Sequence, residues 1–402
     1  MERETKRVLI GEAVGHALHD SWYGVAPVLL AALSAQMALN NADIALAILL
    51  YQIVSSITQP FFGRFSERLG GRPFAVGSIL WTTAMFSIVL FTNSKLVLMG
   101  CIAAAGLGSG AWHPQGTVNS TVAGGRRWGA TAASIFFFGG TLGTSILGAA
   151  LGGFLIDTFG RHSLLALSAL TVLLAITVVR TMVPRTLAMQ DEAHVREQVA
   201  ERGGNGRAFW AMVAVLLVGV ALRSLVQFTL NTFVPKYQQD MGVSPTVYGG
   251  LMSAFLFGNA IGGVIGSYAA DRVGIRRILL GSLLLGGLCF YAFLATQGML
   301  SYIALALGGV FFGPSHTLFL VSGQRRFPQR MATVSGLLLG FIFVSGAGGS
   351  WILGLLADRI GLAKVLTVVP WAMLGAAIAA FISVPQKAPV PASRETAEVQ
   401  AR

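Results

Sequence analysis

Apolar runs of about twenty residues or more, separated by short polar stretches, recur along the whole chain. Twelve can be counted, at residues 8 to 34, 43 to 62, 74 to 92, 95 to 123, 129 to 157, 162 to 182, 209 to 234, 246 to 270, 276 to 296, 299 to 323, 332 to 358 and 362 to 384. Each is long enough to cross a bilayer as an α-helix, the one open-chain structure that satisfies its own backbone there. The pattern therefore predicts an all-α membrane protein with twelve transmembrane helices. A single long polar stretch lies inside the chain, from Pro184 to Ala208, and it divides the helices six and six. The expected organisation is a six-helix bundle over 1–183, a cytoplasmic linker over 184–208, a second six-helix bundle over 209–384 and a cytoplasmic tail over 385–402. Within the linker, Asp191, Glu192, Arg196, Glu197, Glu201 and Arg202 precede Gly203, Gly204 and Gly206, a pattern that suits a surface helix followed by a hinge.

Short motifs repeat between the two halves. Gly63, Glu67, Arg68 and Gly70 are matched by Ser267, Asp271, Arg272 and Gly274, and Gly153, Asp157 and Gly160 by Gly354, Asp358 and Gly361. Pro114 and Pro314, each beside a histidine-bearing helix segment, stand 200 residues apart. Within each half the acidic pattern recurs three helices later, hence on the opposite membrane face. Inverted three-helix units nested in parallel six-helix halves are the pattern of a secondary transporter that alternates access around a midplane site. Two pseudosymmetric bundles follow.

Composition agrees and narrows the class. With 54% hydrophobic and 11% charged residues and a mean hydropathy of +0.70, the chain is no water-soluble domain. The charged start, Met1 to Arg7, precedes an apolar segment too long for a signal-peptide core, so the first helix is expected to be retained. The net charge of +12 does not indicate nucleic acid: of 28 Lys and Arg, 22 fall in the tails and alternate loops, five in the other loops and one, Arg223, inside a helix. That asymmetry places both termini in the cytoplasm and the protein in the plasma (inner) membrane. Cys101 and Cys289 lie in apolar segments without metal or redox spacing.

The first helix concentrates the candidate chemistry. Glu12, His16, His19, Asp20 and Tyr23 are three or four residues apart and share one face. A carboxylate near mid-bilayer costs roughly 2.5 to 3.5 kcal/mol on insertion scales, so this face turns toward a cavity and marks an ion or substrate path. Asp20, Glu12, His16 and His19 are the candidate proton-coupling residues. In the seventh helix Arg223, Gln227 and Asn231 lie at helical spacing; a buried guanidinium needs an anionic partner, either Asp20 across the pseudo-twofold axis or an acidic substrate. His113 and His316 occupy near-pseudosymmetric positions. Tyr23, His113, Gln115, Phe137, Arg223, Gln227 and His316 are the candidate substrate-binding residues, with Phe136, Phe138, Trp22 and Phe341 as further apolar walls. His16, His113 and His316 sit on three helices without local ligand spacing, so no metal site is expected. Asn119-Ser120-Thr121 fits a glycosylation sequon by chance, at the end of a membrane helix.

The stretch Gly63-Arg64-Phe65-Ser66-Glu67-Arg68-Leu69-Gly70-Gly71-Arg72 resembles the loop motif between the second and third helices of the major facilitator superfamily, and Ser267 to Arg277 resembles its counterpart in the second half. The resemblance implies gating roles for Gly63, Glu67, Arg68, Arg72, Asp271 and Arg272. Within the superfamily, Tyr51 to Pro60, Trp112-His113-Pro114-Gln115, Gly124-Gly125-Arg126, Val334 to Phe341 and the stretch from His16 to Asp20 are similar to the fosmidomycin-resistance-type efflux transporters. That group commonly has glutamate where this chain has Gln115; if that glutamate serves proton coupling, Asp20, Glu12 or a histidine must do so here. Gly148 to Gly153 resembles a glycine-rich antiporter motif of drug exporters, with alanine in place of its proline.

The expected function is secondary active transport: export of a small organic molecule, a drug or metabolite, by proton antiport and alternating access, with proton-coupled import of a small organic anion as the alternative. No hydrolase or transferase motif and no Walker loop is present, so neither an enzyme nor a cofactor is expected. The expected partners are a small-molecule substrate, protons and the lipid bilayer, with the protein acting as a monomer and no role for nucleic acid.

Overall fold

The computed structural model describes residues 3–185, 206–324, 326–327 and 331–386, and the described chain is helical with no strand. Side chains are described except at residues 3, 67, 125–131, 133 and 331–336. Among the described residues eleven helices are long and apolar enough to cross a membrane. The first helix, Arg3–Leu33, completes the twelve expected. Its 31 residues are long enough to span; its polar face lowers its hydropathy.

The six spans of the first half are Arg3–Leu33, Asn41–Ser66, Gly71–Phe91, Lys95–Gly124, Ser134–Phe159 and Arg161–Met182; those of the second are Arg207–Asp240, Pro245–Val273, Ile275–Ala295, Gly298–Gln324, Leu337–Ile360 and Leu362–Ser383. The seventh runs past residue 234 to Asp240, with Pro235 buried inside it and Lys236 paired with Asp240 four residues on. Most of the linker and of the tail lies outside the described residues, including the stretch expected to form a surface helix.

Close backbone approach holds the first helix against the fifth. The fifth winds as a π-helix from Gly143 to Ala150, and a Cβ on Gly143 would stand 2.2 Å from the Ala17 carbonyl oxygen. In lipid, where no hydrophobic force draws helices together, such small-residue contacts bring the helices into register. The register matters because His16 and Asp20 lie on the same stretch of the first helix.

The halves meet mainly along two pairs of spans, second with eleventh and fifth with eighth, with the first and seventh also in contact. At one end this contact is tight. Asp358, at the end of the eleventh span, accepts the backbone N–H groups of Asn41 (2.8 Å) and Ala42 (3.0 Å) and the Asn41 side-chain amide (2.9 Å). Its repeat counterpart Asp157 accepts the N–H of Thr246 at 3.3 Å. Both carboxylates sit at helix N-termini, where free N–H groups and the helix dipole favour negative charge. Gly153 and Gly249 also oppose each other there: a Cβ on Gly249 would lie 2.3 Å from the Ala149 carbonyl oxygen and 3.2 Å from the Gly153 Cα.

The opposite end, which carries the two loop motifs, is splayed. Along the second helix no residue before Ile57 is exposed, whereas Ile57, Phe61 and Phe65 are, with Ser66 still buried, and on the eighth Val264 and Ile265 are exposed as well. Motif residues at this end bind within their own half. Arg72 donates to the Val183 carbonyl at 2.7 Å, Arg272 stacks on Tyr268, and Gly63 packs on Pro114. In the second repeat it is Gly266, one residue before the matching Ser267, that packs on Pro314. Asp271 and Arg68 are exposed, and neither takes part in an ion pair with a described residue. The Glu67 side chain lies outside the described residues.

Candidate functional site

Asp20 is surrounded by imidazoles. His16, one turn earlier, places Nε2 at 3.1 Å from Oδ2; His19 places Nδ1 at 2.9 Å from Oδ1; His113, from the fourth span, brings Nε2 to 3.9 Å from Oδ1. The His113 ring meets those of His16 and His19 edge-on at 5.2 and 5.7 Å. Aromatic rings fix the assembly from behind: His16 stacks on Phe136 at 4.0 Å and His19 on Trp112 at 6.0 Å. Phe137, half exposed, borders the same cluster, 6.1 Å from His16.

Hydrogen bonding assigns the protons. The Nδ1 of His16 lies 2.8 Å from the Phe136 carbonyl oxygen, an acceptor only, so Nδ1 carries hydrogen and donates. The Nε2 of His16 then faces a carboxylate oxygen, and two acceptors would oppose each other unless a proton lies between them. The pair thus holds one proton, as imidazolium with carboxylate or as imidazole with carboxylic acid. His113 is pinned in the same way, its Nδ1 donating to the Ser109 carbonyl at 2.9 Å and its Nε2 lone pair left toward Asp20. His19 donates from Nδ1 to Asp20 and is backed at Nε2 by Thr82 at 3.3 Å. The ligand atoms of His16, Asp20 and His113 lie within 4.8 Å of one another, close enough for a metal ion, although these residues are far apart in sequence.

Glu12 and Gln115 lie elsewhere. Both are buried away from this chamber, with Asn119 donating to Glu12 at 2.7 Å and to Gln115 at 2.9 Å. Gln115, a candidate for substrate contact, is buried and accepts from Asn119 one turn on in its own helix. Trp22 also turns inward to the bundle, donating to Thr83 and stacking on Phe86, and forms no cavity wall.

In the second half Arg223 is buried. Its Nε donates to Ser315 at 3.1 Å, its Nη2 donates to Gln227 at 3.1 Å, and the guanidinium lies 4.4 Å over the Phe312 ring. Gln227 in turn donates to Asn231 at 3.1 Å and accepts from Asn259 at 3.0 Å. His316 follows Ser315 and lies close to the guanidinium. Tyr23 bridges the halves: it stacks on Tyr51 and its hydroxyl faces Gln52 and Asn231. Asp20 does not pair with Arg223, and among the described residues Arg223 forms no ion pair.

Two sets of residues were missed in the sequence. Asp157 and Asp358 join the halves; they were visible as repeats, and their position at the membrane face opposite Glu67 and Asp271 was the available signal. Ser109 and Thr82, which orient His113 and His19, carry no sequence signal at all.

A profile of the Major Facilitator Superfamily matches residues 17–350 and 216–397. The chain is 28% identical over 367 residues to the fosmidomycin resistance protein of Escherichia coli (strain K12), covering 89% of this chain and 87% of that protein. It is 27% identical over 367 residues to the uncharacterized MFS-type transporter YfnC of Bacillus subtilis (strain 168), covering 90% and 89%. Among solved structures, a bacterial homologue of the human lysosomal transporter Spinster, inward-facing and occupied, superposes with a TM-score of 0.77 at 14% identity, covering 97% of this chain and all of that one. The nucleoside transporter NupG does so with a TM-score of 0.72 at 15% identity, covering 96% of this chain and 100% of that one. Two six-helix halves, the repeated loop motifs and a match across nearly the whole length have one common explanation: the chain is a multi-pass membrane transporter of the major facilitator superfamily and not an enzyme.

Proposed function

We propose that this transporter exports a small organic molecule in exchange for protons, by alternating access, as a monomer in the plasma membrane with both termini cytoplasmic. In that orientation the splayed end opens to the cytoplasm and the Asp157 and Asp358 contacts close the outside. The observation that carries the reading is the 3.1 Å approach of the His16 Nε2 to the Asp20 carboxylate at membrane depth, which calls for a shared proton, with the His113 Nε2 3.9 Å from the same carboxylate. A substrate group that donates a hydrogen bond to the Asp20 carboxylate takes that proton's place. Substrate and proton therefore exclude each other, and each completed cycle exchanges one for the other. Glu12 is assigned a supporting role in proton handling, one turn nearer the open end. The motif residues Glu67 and Asp271 are assigned to the inner gate, formed when the splayed ends close. The printed name of the Escherichia coli relative, a resistance protein, favours the outward direction.

The test is proton movement in proteoliposomes loaded with a pH-sensitive dye and challenged with a panel of small acids, amines and zwitterions. Proton release on substrate binding, together with substrate accumulation driven by an imposed pH gradient on the side opposite the proton flux, is expected. Substrate crossing with no proton signal, or moving in the same direction as protons, would overturn antiport while leaving the transporter.

A further inference from the structure

Four arginines converge at the splayed end of the first half, where the first and third helices start and the sixth ends. Arg7 donates from Nη2 to the Thr181 carbonyl at 2.6 Å, and Arg72 donates from Nε to the Val183 carbonyl at 2.7 Å. Both oxygens belong to the end of the sixth helix, where free carbonyls and the helix dipole attract cations. Arg180 and Arg185 are carried by that same stretch and lie near Arg72, as Arg7 does. Among the described residues no acid pairs with any of the four, and all but Arg72 are exposed. Like charges gathered in this way repel one another, so the arrangement favours an anion. Arg72 spends only Nε on the described residues, which leaves both terminal nitrogens for one.

An apolar groove of about 580 Å³ lies between the third and sixth helices, walled by Leu80 and Ala84 on one side and by Ala169, Val172, Leu173 and Ile176 on the other. Toward its inner end Ser87 and Ser168 turn their hydroxyls to each other at 2.9 Å, so they leave the walls apolar. Ala84, Ala169, Leu173 and Ile176 are exposed, so the groove faces outward from the bundle and away from the chamber around Asp20. Groove and arginines are continuous along the helices. Arg72, Val76, Leu80, Thr83 and Ser87 follow at helical spacing on one face, and Arg180 stands four residues after Ile176. The depth agrees as well. From Arg72 to Ser87 the helix rises about 22 Å. One leaflet offers about 15 Å of hydrocarbon beneath about 6 Å of headgroup region.

We propose that this is a binding site for an anionic phospholipid, with its phosphate on Arg7, Arg72, Arg180 and Arg185 and one acyl chain in the groove between the third and sixth helices. Charge complementarity selects the anionic headgroup. The groove selects a lipid over a free phosphate. A bound headgroup offsets the repulsion among the arginines and ties the first, third and sixth helices together at the end where the two halves stand apart. The site lies wholly within the first half and does not depend on the transport reading.

The experiment uses the full chain in phosphatidylcholine liposomes doped with phosphatidylglycerol that carries a diazirine midway along one acyl chain. Crosslinks are mapped by peptide mass spectrometry, with the exposed residues Leu284, Leu285 and Leu288 of the ninth span as the lipid-facing reference. Labelling of 80–87 and 168–176 is expected to exceed the reference about tenfold or more, and diazirine phosphatidylcholine to show no such preference. Arg7→Gln, Arg180→Gln and Arg185→Gln together should abolish the preference. Arg207→Gln, Arg276→Gln and Arg277→Gln together, which remove the same charge from that end of the second half, should leave it unchanged. Ala84→Phe, which fills the groove, should move the label off 168–176. A thermal melt in phosphatidylcholine equal to wild type certifies the fold of each variant. Equal preference for phosphatidylcholine, or equal loss in the two arginine triples, would overturn the proposal, since the groove or the general surface charge would then suffice. Displacement of the label by inorganic phosphate would assign the cluster to a free anion and overturn it. A preference seen only after Asp191, Glu192, Glu197 and Glu201 are replaced by their amides would assign the cluster to the linker, with the same result.

Discussion

Asp358 takes two hydrogen bonds from Asn41, one from its backbone N–H at 2.8 Å and one from its side-chain amide at 2.9 Å. The two residues belong to different halves, so the contact exists only while this end of the transporter is closed. Hydrogen bonds to a charged group contribute about 1.5 to 3 kcal/mol each when buried, and less at this exposed position. Asp358→Ala should therefore shift the balance toward the state open at this end by about 2 kcal/mol, roughly 30-fold in population. Spin labels at Gln36 and Lys364, in a background lacking Cys101 and Cys289, would report it as a growth of the longer-distance population. An unchanged distance distribution would mean that the carboxylate does not act as a latch.

The same end is tested sterically by a neighbouring pair of glycines. A Cβ on Gly249 would collide with the Ala149 carbonyl across the half-to-half seam, whereas one on Gly250 meets nothing within 4 Å. Gly249→Ala should disfavour closure by about 1 to 3 kcal/mol, the usual cost of overpacking, and slow transport accordingly. Gly250→Ala should behave as wild type. Equal effects of the two substitutions would show that helix propensity, not the seam, is responsible.

Much of the fold was legible because its causes are local. Apolar runs near twenty residues fix the spans, and repeats such as Gly153 with Gly354 fix the halves. The site was legible only along single helices: His16 and Asp20 at helical spacing, Arg223 above Gln227. What joins helices left no local trace. His113 reaches Asp20 through the packing of the fourth span on the first and so joins His16 and His19, while His316 lies beside Arg223. Gln115 and Trp22, two positions from His113 and one from Tyr23, point elsewhere because each step along a helix turns by about 100°.

Glu12 offers a test of that packing apart from transport. Asn119 donates to both Glu12 and Gln115, and removing its amide strands two buried acceptors. Asn119→Leu should cost about 2 to 3 kcal/mol in thermal unfolding, and about 1 kcal/mol less in a Glu12→Gln background where the carboxyl to be stranded is gone. Strict additivity of the two substitutions would mean that the contact contributes nothing to stability.

The shared proton gives the sharpest expectation. In Asp20→Asn the side-chain amide can donate to the Nε2 of His16, which is what a protonated carboxyl would do, while His16 keeps its bond to the Phe136 carbonyl. The variant imitates the proton-loaded site but can neither take up nor release a proton. Alternating access does not require that release when substrate moves in both directions. Exchange of labelled for unlabelled substrate at equal pH should thus persist within about tenfold of wild type, whereas accumulation against a gradient driven by pH should vanish. Removing His16 instead, as His16→Ala, leaves Asp20 with His19 and no shared proton; accumulation should fall while its dependence on external pH moves, because a different imidazole must then supply the partner. If Asp20→Asn still accumulates substrate in response to a pH gradient, the coupling proton resides elsewhere, and Glu12 becomes the residue to test.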